Sequence, residues 1–236
     1  MLRFIFLLLP LFLSAQIHTL TNEKIWSGEF RQNYLNAFSP MKGDLYSLLN
    51  YNPKKRSSSI DLYDYLTSKK EKTIINSEDF ETIDSFDSYR FNDSETSLLI
   101  ATKTKSIYRH SSESIFYVYH IASKQLIKLS EEHVQEPSFS KDNKQIAYIK
   151  NNNLFVMSLL SGITKQVTFD GEKNHIINGI SDWVYEEEFG FVKAYEWSPK
   201  SEKIIFLKFN ETAVQTFSLH LLNGNLYPES KKFKYP

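Results

Sequence analysis

Cysteine is absent from this 236-residue sequence. That excludes a disulfide framework, a thiolate zinc site and a lipid-modified cysteine. Net charge is absent too, because 28 basic residues balance 28 acidic ones. A neutral chain carries no electrostatic footprint for nucleic acid or for an anionic membrane surface. The seven glycines are isolated, so no glycine-rich loop is present to cradle a phosphate. The six histidines form no HExxH pair and show no metal spacing. No cofactor and no metal are expected. The Gly-x-Ser-x-Gly elbow of a serine hydrolase is missing as well. The nearest string, Gly179-Ile180-Ser181-Asp182-Trp183, lacks the second glycine. No catalytic residue is therefore assigned, and the chain by itself is expected to be inactive as a hydrolase.

Long apolar runs are also scarce. Beyond residue 16 nothing approaches the roughly 20 residues that span a bilayer. The N-terminus stands apart: Arg3 precedes an apolar stretch from Phe4 to Leu13, which ends in Ser14-Ala15-Gln16. This pattern reads as a signal peptide over residues 1–15, cleaved after Ala15, and implies a secreted or periplasmic product. The alternative is an uncleaved anchor.

Aromatic residues are plentiful, at 15%, with 14 Tyr and 18 Phe. These suit pleated, half-buried surfaces. They also mark a repeat. Phe38-Ser39-Pro40, Phe91-Asn92-Asp93, Phe139-Ser140-Lys141 and Trp197-Ser198-Pro199 each precede a polar turn and an apolar strand. A second strand follows in each unit: Ile60 to Tyr65, Ile115 to Tyr119, Asn153 to Met157, Thr216 to His220. Polar turns come next, at Thr67-Ser68-Lys69, Ala122-Ser123-Lys124, Ser161-Gly162 and Asn223-Gly224. Period-two alternation bounded by turns is the pattern of antiparallel strands. About four short strands per unit of roughly 50 residues is the pattern of a propeller blade. The reading is an all-β partial β-propeller of about four four-stranded antiparallel blades, near 22–76, 77–130, 131–170 and 171–236. The polar patch Lys54-Lys55-Arg56-Ser57-Ser58-Ser59 is expected at a hairpin tip.

The run Asp182-Trp183-Val184-Tyr185-Glu186-Glu187-Glu188 puts three consecutive carboxylates among aromatic residues. Like charges in sequence are usually a solvated turn. In a partly dry, aromatic-walled place they would instead suit an ammonium group, since charge-assisted hydrogen bonds strengthen as water is excluded. Asp182 is suited to cap a short helix carrying the run.

That run is similar to the double-glutamate motif of the dipeptidyl peptidase IV family, within the prolyl oligopeptidase group of serine peptidases. The resemblance continues through Glu196-Trp197-Ser198-Pro199, Phe209-Asn210-Glu211-Thr212 and Tyr108-Arg109-His110-Ser111. It implies that Glu187 and Glu188 hold the free N-terminal ammonium of a peptide substrate. It implies that Arg109 contacts a substrate carbonyl and supports the glutamates, where otherwise it would be a surface arginine on a hairpin. Glu186 is left as a structural or solvent-facing acid. Asp182, Trp183 and Tyr185 are read as supports for the carboxylates, and Asn210 as a turn residue. The residues after Ser111 add an acid, Glu113, in a segment where the match is loose.

Family members have eight blades followed by an α/β-hydrolase domain. The resemblance runs to Phe233-Lys234-Tyr235-Pro236, so the chain corresponds to half of that ring, with the hydrolase domain absent. It implies the substrate-recognition portion of a secreted exopeptidase releasing X-Pro or X-Ala dipeptides. Its partners would be a peptide with a free N-terminus, the missing propeller half and the hydrolase domain. The alternatives are a non-catalytic, propeller-like binding protein, with two copies associating to close the ring, and a non-functional gene remnant.

Overall fold

The computed structural model describes residues 20–30, 35 and 37–235. The expected signal peptide lies outside the described residues. The chain divides into two units, residues 1–35 and 36–236. In the first, α1 (Asn22–Ser27) is capped by the Thr21 side chain, and Gly28 follows at φ 84°. The first repeat, read from residue 22, thus opens on a helix, and its first strand begins at Ser39.

The second unit is built of antiparallel sheets. β1 (Ser39–Pro40), β2 (Leu45–Asn52), β3 (Ser57–Asp64) and β4 (Lys70–Asn76) form one four-stranded meander. β5 (Ser88–Phe91), β6 (Ser97–Ser106), β7 (Ser112–His120) and β8 (Gln125–Lys128) form a second. β9 (Gln135–Phe139), β10 (Gln145–Lys150), β11 (Asn153–Ser158) and β12 (Thr164–Gln166) form a third. Strand order follows chain order in all three, as short hairpin connections require. Asn151 and Asn152 turn β10 into β11 with φ of 49° and 59°, which Asn tolerates and a two-residue hairpin demands. The Lys54 patch does turn a hairpin, between β2 and β3. Its Ser57 and Ser58, however, are buried inside β3.

The sheets bury both faces of their central strands. Leu98 and Ile100 of β6 pack with Leu49, Ile60 and Ile75 of the first sheet. Leu99, one residue away and on the opposite face, packs with Ile146 and Tyr148 of the third. Ala147 and Ile149, on the other face of β10, meet Ile177, Ile180, Tyr195 and Trp197 of the fourth repeat. Central strands buried on both faces read as continuous apolar runs, such as Leu98 to Ala101, rather than as alternation. Each fully buried aliphatic side chain contributes about 1.5–3 kcal/mol by leaving water.

The fourth repeat differs in detail. Its strands form three two-stranded sheets: β13 (Ile176–Asn178) with β16 (Lys208–Asn210), β14 (Tyr195–Trp197) with β15 (Ile204–Phe206), and β17 (Thr216–Leu221) with β18 (Glu229–Lys234). The cause is local. After β13 the chain leaves the sheet to build a helix, α2 (Trp183–Phe189), and returns only at Lys193. Gly179 stitches the break: its N–H donates to Leu207 O and its carbonyl accepts Ala194 N–H, both at 2.9 Å. Glycine is favoured there. Its φ is 79°, and a Cβ would lie 2.7 Å from Ile149 Cδ1.

Candidate functional site

The site is organised by α2, seven residues long and capped at both ends. The Asp182 carboxylate accepts the Tyr185 N–H at 2.9 Å. Gly190, at φ 70°, returns its N–H to Glu186 O. Short helices depend on such caps because their ends leave four N–H and four C=O groups unpaired. At about 100° per residue, three consecutive glutamates must point in three directions.

Glu186 points inward and is 1% exposed. One of its oxygens, Oε1, accepts the backbone N–H of His110 at 2.7 Å and of Ser111 at 2.9 Å. The structure thus decides between the two readings of Glu186, placing it as an interior structural acid. The loop it grips, between β6 and β7, is closed by Ile107 N–H on Ser111 O and by Tyr108 N–H on Ser111 Oγ. Arg109 rides on that loop, its side chain 73% exposed, and Arg109 Nη1 lies 3.4 Å from Glu187 Oε2. Glu188 is exposed on the next position of the helix. The three residues read as substrate-binding are therefore brought to one end of α2: a half-buried acid paired with a cation, and a free acid beside it.

The supporting residues lie around this helix. Tyr185 packs on Phe189, Phe191 and Phe209 with ring centroids 4.9–5.9 Å apart. Trp183 packs on Tyr235 with ring centroids 4.9 Å apart and the planes tilted by 50°. Asn210 accepts the Thr212 N–H at 3.0 Å, a side-chain turn at the end of β16.

A cavity of about 530 Å³ opens on the Glu186 side of α2. Tyr108, Asp182, Trp183, Glu186 and Glu211 line it; Arg109, Glu187 and Glu188 do not. Burial raises the Tyr108 phenol, helped by the negative charges of Glu211, Glu186 and Asp182. Burial also raises the Glu211 carboxyl, with Asp182 adding to it. Sequence reasoning missed Glu211 as a buried acid. Its place after the Asn210 turn was the only available signal. Among the described residues, no three His, Cys, Asp or Glu side chains are arranged to hold a metal ion.

The family model described as "Dipeptidyl peptidase IV (DPP IV) N-terminal region" matches residues 92–236. The chain is similar to the crystal structure of Porphyromonas gingivalis dipeptidyl peptidase 4, with a TM-score of 0.81 and 30% identity, over 92% of this chain and 31% of that one. It is 36% identical over 144 residues to dipeptidyl aminopeptidase B of Saccharomyces cerevisiae, covering 59% of this chain and 17% of the relative. It is 29% identical over 145 residues to inactive dipeptidyl peptidase 10 of Mus musculus, covering 59% and 18%. The chain thus spans about a fifth of the length of the curated relatives it matches.

Proposed function

The chain belongs to the dipeptidyl peptidase IV N-terminal region family, and from that premise we propose that it recognises the free amino terminus of peptide substrates for a dipeptidyl peptidase. In this reading Glu187 and Glu188 accept the substrate ammonium, and Arg109 holds Glu187 while offering its remaining donors to a backbone carbonyl. The observation that carries the reading is the approach of Arg109 to Glu187 at 3.4 Å, with Glu188 unburied beside them. An ammonium has three donors and no acceptor, so two neighbouring carboxylates suit it and a blocked terminus does not. A guanidinium can serve a carboxylate and a carbonyl at once. Bond cleavage, with release of X-Pro or X-Ala dipeptides, belongs in this proposal to an α/β-hydrolase domain. Residues 1–15 support export, which N-terminal sequencing of the product would test by finding Gln16 first.

The test is kinetic and uses the complete protein. Glu187→Ala with Glu188→Ala should lower kcat/KM on Ala-Pro-nitroanilide by about a hundredfold or more, since charge-assisted hydrogen bonds contribute roughly 1.5–3 kcal/mol each. N-acetylation of the substrate should do the same to the unaltered protein. Unchanged kinetics in the double variant would overturn the amine clamp. A second reading, non-catalytic binding, is supported by the similarity to a relative named as inactive. Amine-terminal peptide binding without turnover in the complete protein would favour it.

A further inference from the structure

The cavity beside α2 holds an acid that the amine clamp does not use. Glu211 is 8% exposed. Its backbone is satisfied, with its N–H donating to His175 O at 2.7 Å and its carbonyl accepting Val214 N–H at 3.0 Å. Among the described residues, no hydrogen bond or ion pair reaches its carboxylate. The residue is buried, but its carboxylate oxygens are not sealed off from solvent, so they face the space that a ligand would enter. Of the basic side chains lining the cavity, Lys150 pairs with Glu132 at 3.0 Å, His133 bonds Lys103 O, and Lys173 makes no ion pair with Glu211 among the described residues. Asp182 adds a second negative charge, and one of its oxygens, Oδ1, accepts the Tyr185 N–H. Glu186 is turned to His110 and Ser111. Lys234 attracts Glu211 from a distance, but its ammonium donates to Val214 O at 2.7 Å.

The other walls suit an organic cation. Tyr108 and Trp183 present aromatic surface to the cavity, and Ile177 and Ile180 give it an apolar floor. Aromatic rings attract alkylammonium groups, and an apolar floor accepts their methylene stems. A volume of about 530 Å³ lies in the range of small-ligand sites. We propose that this cavity binds a primary alkylammonium, with Glu211 as its charge partner and Tyr108 and Trp183 as its walls. The site is separate from the clamp, whose residues Arg109, Glu187 and Glu188 do not line it, and it does not depend on the peptidase reading.

The test titrates the full chain with n-butylammonium and follows the Trp183 indole N–H resonance, assigned with Trp183→Phe. Saturable binding is expected, with 1-butanol at least about tenfold weaker, since only the ammonium can pair with the acid. Glu211→Gln should weaken butylammonium by about tenfold or more. Glu187→Gln with Glu188→Gln should leave it unchanged. N-acetyl-lysine amide, whose α-amine is blocked, identifies the source: binding as tight as butylammonium assigns a lysine side chain, and binding of butylammonium alone assigns a free amine. Equal affinity for 1-butanol would overturn the proposal without any variant. So would full affinity in Glu211→Gln, or loss of binding in the double variant, which would move the amine to the clamp.

Discussion

Glu186 accepts the backbone N–H of His110 at 2.7 Å, joining α2 to a loop 76 residues earlier in the chain. The same oxygen holds Ser111. This contact sets where Arg109 stands, because Arg109 is the residue before His110. Glu186→Ala would leave the N–H groups of exposed His110 and buried Ser111 without their acceptor and should cost about 2 kcal/mol in chemical denaturation. Amide hydrogen exchange at His110 and Ser111 should accelerate with it. Glu186→Gln keeps an acceptor and should recover most of both effects.

Arg109 and Glu187 should separate stability from function. Their ion pair is largely exposed on the arginine side, and such pairs contribute less than about 1 kcal/mol. Arg109→Ala should therefore move the unfolding midpoint little while lowering peptide turnover by the complete protein at least about tenfold. Arg109→Lys should restore the charge but not the planar fork, and should rescue turnover only in part.

Glu211 predicts a pH dependence. Its folded-state pKa is raised, first by burial and then by Asp182, against the weaker pull of Lys234. A raised carboxyl contributes stability that is full below the unfolded value and is lost as pH rises through the folded one. Glu211→Gln should therefore be more stable than the parent at pH 8, by about 1 kcal/mol. The gap should close towards pH 4. Urea titrations at the two values check it.

Asp61 predicts the opposite slope. It is 3% exposed, on β3. Burial alone would raise its carboxyl, but Lys70, Thr73, Asn50 and Ser59 all donate to it and hold it below the usual range. Its contribution is present above the unfolded pKa and lost as pH falls through the folded one. Asp61→Asn should cost about 2 kcal/mol at pH 7, and the difference from the parent should shrink at pH 3 in the same titration.

Much of the β architecture was legible. The aromatic anchors Phe91 and Phe139 end β5 and β9, and the apolar runs that follow them form β6 and β10. The Asp182 cap was legible for the same reason: a capping carboxylate acts within one turn of its own residue. The orientation of the three glutamates was not. Which acid faces inward depends on the helix phase set by the Asp182 and Gly190 caps, and on a loop that Glu186 meets across 76 residues.

Glu211 shows the same limit from another direction. As sequence it is one acid after a turn-forming Asn210. Its burial comes from α2, the Tyr108 loop and the segment near His175 closing around it. Most strands, their turns, the helix cap and the family could be read from residues within a few positions of one another. That Glu186 is a buried anchor, that Glu187 meets Arg109 and that Glu211 lines a cavity without a partner among the described residues came from the three-dimensional packing. Those outcomes depend on packing between distant segments, where desolvation rather than residue type sets what a carboxylate does.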